Sequence, residues 1–246
     1  MRRSYKGIPI NTSKNTHEVV FDLLPQDKQV TVLDVPSGAG AFTQRLKDHG
    51  YKNVVSVDVV NGLQIEHDQF IQGDMTERLP FNDNTVDVVV CIDGIEHISK
   101  QFDFAKEVNR ILKPGGYFII STPNISALHS RLRWLITGHH NKCKSPLNEA
   151  APDPSHHIAM ISYPEMRYLL HSNNYSIDKI ETNQVKPVSW LYLPLVPLSY
   201  LMTKMVYSKE EKDPHQKKRN RQVISQMHSK PVLFGETMIV RARKLA

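Results

Sequence analysis

Three strongly apolar runs in the first half of the chain predict the strands of one sheet. Residues 30–35 and 54–60 are rich in β-branched side chains, and Val86–Ile92 is almost continuously apolar. A continuous apolar run of this length is typical of a strand that is buried on both faces. The runs therefore predict parallel strands in the interior of a sheet that helices cover on both sides.

Helical patterns separate these runs. Residues 41–49 form an amphipathic stretch that stops at Gly50, and residues 104–112 form another that stops at Pro114, Gly115 and Gly116 before a strand over residues 117–121. Strands that alternate with helices imply right-handed crossovers and a mostly parallel, doubly wound sheet. The fold class predicted from this alternation is α/β.

The second half of the chain is less regular. A helix over residues 126–136 is followed by a polar loop over 139–157, and Pro164 indicates the first turn of a further helix. No internal repeat and no clear domain boundary is visible, so we predict one domain over residues 1–246. Its remaining parts are a helical extension over residues 1–28, late strands over 175–180 and 237–241, and an inserted segment over 185–235.

The amino-acid composition restricts the class of protein but does not indicate a function. With 40% hydrophobic and 23% charged residues, the chain resembles an ordinary soluble globular protein. The net charge of +6 favours acidic partners without choosing among phosphates, anionic lipids and nucleic acid. Two cysteines, Cys91 and Cys143, cannot build a disulfide framework, and the basic N-terminus lacks the apolar core of a signal peptide. We therefore expect a cytoplasmic location.

The clearest functional motif follows the first apolar run. Residues 32–40 read VLDVPSGAG, in which a strand ends at Asp34, turns through small residues and enters a helix. Ligands of open α/β sheets bind beyond the carboxyl ends of the strands. Gly38 and Gly40 allow close approach of a ligand to the backbone, and the N–H groups at the helix start attract anions. The motif predicts a ligand-binding turn, against the alternative of a glycine turn without a ligand.

Two classes of nucleotide cofactor compete for this turn. The nicotinamide-dinucleotide fingerprint requires Gly or Ala at the position of Thr43. The acid placed two residues before the turn instead resembles the class I S-adenosylmethionine-dependent methyltransferases, although Pro36 occupies the place of their usual first glycine. Because proline fixes φ near a common value, we expect a stiffer turn of similar shape. The resemblance implies a seven-stranded, Rossmann-like sheet and S-adenosyl-L-methionine as the cofactor.

The spacing downstream extends the resemblance. Asp58 ends the second strand where a carboxylate can accept both ribose hydroxyls of a nucleotide. Asp74 resembles the family's acidic residue that meets the adenine amino group, and residues 110–124 resemble its helix-to-strand hallmark. The cofactor-binding residues implied by the resemblance are Asp34, Pro36, Ser37, Gly38, Ala39, Gly40, Asp58, Val59, Asp74, Met75 and Ile92.

Candidate catalytic residues follow the third apolar run. Methyl transfer mainly needs alignment and, for a hydroxyl acceptor, removal of a proton. Asp93, Glu96 and His97 are spaced i, i+3 and i+4, so they would share one face if this turn is helical. In one interpretation His97 is a capping residue or a general base that acts without a metal.

In the other interpretation the same residues hold a divalent metal such as Mg, and His157 or its neighbour His156 completes the metal site. This arrangement resembles the acid-x-x-Glu-His cluster of ubiquinone-pathway O-methyltransferases and small-RNA 3′-end methyltransferases. A hard cation held there would bind an acceptor hydroxyl and lower its pKa. The shorter arm of Asp93, compared with Glu, favours the metal-free interpretation.

The inserted segment contains the most apolar stretch of the chain. Two internal prolines and the length of this stretch argue against a membrane-spanning helix. Residues 188–206 could instead cover the substrate pocket, form a dimer contact or lie at a membrane interface, with the basic residues 217–221 meeting anionic head groups. The simplest alternative is a helix packed on the domain beside a solvated basic turn.

These observations predict an enzyme that methylates oxygen on a small-molecule, glycan or lipid-linked acceptor, located in the cytoplasm or at the inner face of a membrane. RNA ribose is the alternative acceptor, and nucleic acid is the less favoured partner because no aromatic stacking platform accompanies the basic run. The competing class is a cofactor-binding module without activity, or one in which Pro36 has abolished binding.

Overall fold

The protein is described here by a computed structural model that covers residues 3–67, 69–140, 147, 149–151, 156–209 and 213–246. The strands are β1 (Ser4–Tyr5), β2 (Ile8–Pro9), β3 (Thr31–Asp34), β4 (Asn53–Asp58), β5 (Phe70–Gln72), β6 (Val86–Ile92), β7 (Leu112–Pro123), β8 (Tyr175–Thr182) and β9 (Thr237–Lys244). The α-helices are α1 (Thr16–Asp22), α2 (Ala41–Asp48), α3 (Gln101–Ile111), α4 (Leu128–Thr137), α5 (Tyr163–Ser172), α6 (Val196–Lys209), α7 (Pro214–Met227) and α8 (Lys230–Phe234). Two 3-10 helices span Ile95–His97 and Pro187–Leu195.

Seven strands form the central sheet in the order β5-β4-β3-β6-β7-β9-β8. The five strands from β5 to β7 pair in parallel, whereas β9 lies antiparallel between β7 and β8. The strand order reverses direction at β3, between β4 and β6, and such a switch point is where open α/β sheets bind ligands. The predicted α/β, mostly parallel, seven-stranded fold is confirmed.

Helices cover both faces of this sheet. Apolar residues of α3, α5 and α7 pack with one face, where Phe104, Leu169 and Val223 belong to one cluster. Residues of α1 and α2 pack on the other face, where Val20 and Leu46 belong to a second cluster. Because the interior strands are buried from both sides, β6 is apolar at six of its seven positions.

The topology brings distant parts of the chain to one edge of the sheet. The parallel strands end at this edge, where Pro123 of β7 lies opposite Thr237, the first residue of β9. Strand β8 ends there too, since Thr182 lies opposite Met238. The connection from β8 to β9, residues 183–236, therefore starts and ends at the carboxyl edge, the same edge as the glycine turn.

Several local features differ from the pattern-based predictions. Within residues 1–28, for which a helical extension is predicted, α1 is preceded by the hairpin of β1 and β2, whose turn residues Lys6 and Gly7 both have positive φ. Strand β7 begins at Leu112 rather than at residue 117, because a register shift after Val86 accommodates the Pro-Gly-Gly sequence.

The inserted segment is helical over most of its described length. It contains the 3-10 helix Pro187–Leu195, then α6, α7 and α8, before β9 begins. Over the described residues, no helix combines the length and the apolar character that crossing a membrane requires.

Candidate active site

The glycine turn lies between β3 and α2 at the switch point of the sheet. Backbone hydrogen bonds tie it to both neighbouring strands: the Val35 N–H donates to Val90 O (2.9 Å) and the Ser37 N–H to Val57 O (3.0 Å). Gly38 and Gly40 have φ of +53° and +86°, values that favour glycine. A Cβ on Gly38 would have no described atom within 4 Å, so space is open beside the turn.

Pro36 forms this turn in an unusual way. The Val35–Pro36 peptide bond is cis. The proline ring packs against Gly94, where a Cβ would lie only 2.4 Å from Pro36 Cδ. Pro36, which departs from the family pattern, therefore contacts the segment after β6. Gly94 is required in that segment because any side chain there would collide with the proline ring.

Asp34 lies behind the turn rather than facing the open space. Its side chain is buried, and the Thr43 hydroxyl donates to its Oδ2 at 2.7 Å. Burial raises the pKa of Asp34 to about 7, and the nearby charge of Asp58 adds to the rise. Thr43 Oγ1 also lies 2.7 Å from Ser56 Oγ. The residue that breaks the dinucleotide fingerprint thus joins β3, β4 and α2, a role that the sequence did not reveal.

Asp58 stands at the end of β4, beside the turn. Its Oδ2 accepts the Gly38 N–H and its Oδ1 the Val59 N–H, both at 2.8 Å. Each oxygen keeps a further lone pair, so the carboxylate can still accept hydroxyl donors. The adjacent Val59 is 48% exposed, which provides an apolar surface next to a polar acceptor.

Asp74 and Met75 are brought to the same place by a short connection. The Gly73 N–H donates to Asp58 O at 2.9 Å, which places the following residues next to the end of β4. Asp74 Oδ1 accepts the Thr76 N–H at 2.7 Å, and Met75 is buried. The structure therefore brings Asp58, Val59, Asp74 and Met75 to the end of β4, next to the glycine turn.

The segment after Asp58 covers part of the turn. The Gln64 N–H donates to Ala39 O at 3.0 Å, and a Cβ on Gly40 would lie 3.0 Å from side-chain atoms of Leu63 and Ile65. No periodic signal marks this segment in the sequence, so its contact with the glycine turn could not be predicted.

The acid-histidine cluster lies after β6 at the same edge. Glu96 and His97 belong to the 3-10 helix, and the chain at residues 156–159 runs beside them, where the Ala159 N–H donates to Glu96 O at 3.0 Å. One ligand atom each from Glu96, His97 and His157 lie within 4.8 Å of one another. His156 contributes its carbonyl oxygen, 3.0 Å from His97 Nδ1, rather than its ring.

Asp93 does not share a helical face with Glu96 and His97, as the spacing suggested it could. It precedes the 3-10 helix in a left-handed conformation, with φ of +46°. Its N–H donates to Ser121 O, and the Ser121 hydroxyl donates to its Oδ1 at 2.6 Å. Asp93 is therefore directed to β7 by these bonds and is not one of the clustered residues.

Glu96 is the most unusual side chain of the cluster. It is fully buried, and the Thr122 hydroxyl donates to its Oε2 at 3.0 Å. Its Oε1 has no hydrogen-bond partner among the described residues, and a buried oxygen in that state has a cost. Burial raises the pKa of Glu96 to about 8, with the charge of Asp93 as a second cause. The carboxyl group is therefore mostly neutral at pH 7.

Part of the chain is similar in sequence to a family of known proteins. Residues 33–120 match a family model described as a methyltransferase domain. A sterol 4-C-methyltransferase of Caenorhabditis elegans is 28% identical over 117 residues, and a ubiquinone biosynthesis O-methyltransferase of Pseudomonas paraeruginosa is 27% identical over 107 residues. These alignments cover 44% and 38% of this chain, and 35% and 44% of the relatives. The chain thus spans less than half the length of both relatives.

Solved structures extend the likeness of the fold to nearly the whole chain. A SAM-dependent methyltransferase from Archaeoglobus fulgidus superposes with a TM-score of 0.58 at 18% identity, covering 93% of this chain and 92% of that one. At this identity the likeness concerns the fold alone. Over residues 33–120 the chain is similar to the methyltransferase-domain family, and its fold is that of the solved methyltransferase structures.

Proposed function

We propose that the protein transfers a methyl group from S-adenosylmethionine to an acceptor hydroxyl. The observation that carries this proposal is the direct contact between the two halves of the site. Pro36 of the glycine turn packs on Gly94, and the next residues hold Glu96 and His97. A cofactor on the turn and an acceptor beside His97 would therefore be neighbours, as in-line transfer requires.

The residues around the turn fit this cofactor. Ser37 Oγ is buried without a hydrogen-bond partner among the described residues, so a polar ligand group would satisfy it. Asp58 offers the remaining lone pairs of its carboxylate to the ribose hydroxyls, and Val59, Asp74 and Met75 would border the adenine ring. When bound, the cofactor supplies an activated methyl group on a sulfonium centre.

His97 is proposed as the base that takes the acceptor proton. Its Nδ1 lies 3.0 Å from the His156 carbonyl oxygen, which can only accept a hydrogen bond. That contact favours the proton on Nδ1 and leaves the lone pair on Nε2, the atom that would receive the proton. Glu96, neutral at pH 7, would position the acceptor through its Oε1 rather than compete for the proton.

The proposed acceptor is a hydroxyl on a small molecule, a glycan or a lipid-linked intermediate. The relative named for ubiquinone biosynthesis is an O-methyltransferase, which supports a hydroxyl acceptor, and the relative named for sterol 4-C-methylation supports only the lipid class. RNA ribose is less favoured, because the exposed basic residues 217–221 lie on α7, a helix without exposed aromatic side chains.

A metal-assisted reaction is the second candidate, favoured by the cluster of Glu96, His97 and His157. One carboxylate with two imidazoles suits a transition ion such as Zn²⁺ better than Mg²⁺, which prefers oxygen ligands. Ligand atoms on one tetrahedral ion lie about 3.4 Å apart, so the cluster, spread over 4.8 Å, would have to contract around it. Such an ion would hold the acceptor oxygen.

Calorimetric titration with S-adenosylmethionine tests the first part of the proposal. Asp58→Ala should raise the Kd about tenfold or more, because the hydrogen bonds that the ribose hydroxyls would donate to this carboxylate are lost. Asp27→Ala is the matched control, since Asp27 also accepts a nearby backbone N–H but precedes β3 at the opposite edge of the sheet. A wild-type protein that does not bind the cofactor would support the inactive-module class instead.

Transfer itself is tested by incubating the protein with methyl-labelled cofactor and fractionated cell extract. Label in a lipid or glycan fraction, insensitive to chelators, would support the metal-free proposal. Loss of labelling with a chelator and rescue by an added ion would establish the metal-assisted reaction. Label in RNA would contradict a small-molecule, glycan or lipid-linked acceptor and would indicate RNA ribose instead.

A further inference from the structure

A large apolar surface remains exposed on the protein. It consists of α4 and residues 187–206, which we call the apolar platform. Leu135 and Ile136 of α4 are each 74% exposed, and Leu191 is 76% exposed. Contiguous exposed apolar surface of this extent marks an interaction site in soluble proteins. The other exposed apolar residues of the platform are Leu132, Trp134, Val188, Trp190, Leu193, Leu195, Leu198, Tyr200, Leu201, Met202, Met205 and Val206.

The two parts of the platform lie side by side. Arg131 of α4 donates to the Ser199 hydroxyl of α6 at 3.2 Å, and the rings of His129 and Tyr192 lie 6.3 Å apart. Beneath them, Leu128 packs with Phe234 of α8. These contacts fix the inner side of the platform to the domain, while the side chains named above remain exposed.

The platform adjoins the site. Helix α4 follows the carboxyl end of β7, where the Thr122 hydroxyl donates to the buried Glu96. Residues 187–206 belong to the connection from β8 to β9, which starts and ends at the same edge. The apolar platform and the acid-histidine cluster therefore share the carboxyl edge of the sheet.

Basic residues predominate around the platform, where Glu236 pairs with Lys186. Residues 126–140 and 185–209 together contain five Lys or Arg and no Asp or Glu. Arg133 and Lys204 are exposed within it, and α7, which packs beside α6, adds exposed basic residues at 217–219 and 221. An isologous contact with a second copy would bring these like charges together, whereas an anionic surface complements them.

We propose that the apolar platform docks on the surface of a bilayer that contains anionic lipids. Trp134, Trp190 and Tyr200 are side chains that suit the interface between head groups and acyl chains, with the basic residues at the level of the phosphates. Docking in this way turns the carboxyl edge towards the lipid. The consequence that the acceptor is itself lipid-embedded rests on the methyl-transfer function proposed above.

Flotation with vesicles tests the docking without any assay of activity. The wild-type protein should float with vesicles of phosphatidylcholine plus phosphatidylglycerol and much less with phosphatidylcholine alone. The double variant Leu135→Glu, Leu191→Glu should lower the partition coefficient at least about tenfold, because two exposed apolar side chains no longer enter the interface. Leu245→Glu is the matched control, since Leu245 is 45% exposed beyond the end of β9, at the opposite edge.

Absence of flotation with anionic vesicles would overturn the proposal, as would an equal loss of flotation in Leu245→Glu. If the wild-type protein forms a dimer that the double variant abolishes, and neither protein floats, the platform binds a second copy instead. Calorimetry with S-adenosylmethionine, carried out without vesicles, separates this inference from the proposed function. The double variant should keep the wild-type Kd, and flotation of a protein that binds no cofactor would support docking while contradicting methyl transfer.

Discussion

Carboxylates on the two sides of the site are held in opposite ways. On the proposed cofactor side, both oxygens of Asp58 accept backbone N–H groups, and the Thr43 hydroxyl donates to Asp34. On the proposed acceptor side, Glu96 Oε1 is buried with no hydrogen-bond partner in the described part of the chain. The chain itself therefore supplies hydrogen-bond donors to the carboxylates of the glycine turn, whereas Glu96 Oε1 remains available to a group from outside the chain. In the turn itself, the Ser37 hydroxyl is likewise buried without a hydrogen-bond partner among the described residues.

The largest expected effect is on the cofactor side. Gly38→Val should abolish binding of S-adenosylmethionine, because the new side chain would enter the open space beside the turn. The positive φ of +53° also costs about 1–2 kcal/mol for a residue with a Cβ. Gly50→Val is the matched control, since Gly50 has φ of +85° and equally open surroundings but ends α2 away from the turn.

Both variants should lose similar stability in urea unfolding, and only Gly38→Val should lose the cofactor in calorimetry. Retained affinity in Gly38→Val would show that the cofactor does not pass over this turn.

Asp34 should make stability depend on pH. Its pKa is raised from 3.8 to about 7 in the folded protein, so the folded state holds the proton more tightly than the unfolded state. The contribution of Asp34 to the free energy of unfolding is therefore fully present below pH 3.8, and this contribution is lost as the pH rises through 7. The shift corresponds to about 4 kcal/mol. In Asp34→Asn, the amide oxygen can still accept from Thr43 and nothing ionises.

Unfolding in urea at several pH values measures this effect. The advantage of Asp34→Asn over the wild type should be near zero at acid pH and should grow to its full value above pH 8. A difference in the free energy of unfolding that stays constant across this pH range would mean that Asp34 is ionised in the folded protein. That result would weaken the contrast between the glycine turn and the acid-histidine cluster.

Much of the cofactor side could be predicted from the sequence because its signals are local. A continuous apolar run predicts a buried parallel strand, and β6 has the predicted bounds. Asp58 and Gly38 follow from their positions at strand ends. The bond of Thr43 to Asp34 could not be predicted, because it depends on how α2 packs against β3 and β4. The three residues of β5 are too few to give a periodic signal.

The acceptor side was harder to predict because its residues meet only through tertiary structure. His157 lies sixty positions after His97, and tertiary contacts such as the Ala159 N–H to Glu96 O bond and the His97 contact with His156 O bring that segment close. The spacing of Asp93 suggested a shared face that its left-handed conformation rules out. Apolar residues of the platform usually predict burial, so their exposure could be seen only in the structure.

The next expected effect is on turnover. His97→Ala should lower the rate of methyl transfer about a hundredfold, as is typical of the loss of a general base, with the Kd of S-adenosylmethionine unchanged. His171→Ala, which replaces an exposed histidine on α5 outside the cluster, should leave the rate unchanged. A lower melting temperature for His97→Ala with normal turnover in the folded fraction would make His97 a structural residue.

The smallest expected effect distinguishes the two candidates for the reaction. Glu96 is mostly protonated at pH 7 because its pKa is about 8, so Glu96→Gln replaces one neutral group by another of the same shape. The amide oxygen can still accept from Thr122. In the metal-free reaction, transfer at pH 7 should fall less than about threefold, which is below the effect of removing a general base. A metal ion would instead require an ionised carboxylate, and an amide would bind it poorly, so activity would be lost. Transfer rates measured at pH 7 with and without a chelator separate these outcomes. A loss in Glu96→Gln as large as that in His97→Ala, together with chelator sensitivity of the wild type, would assign the unsatisfied oxygen to a metal ion rather than to the acceptor.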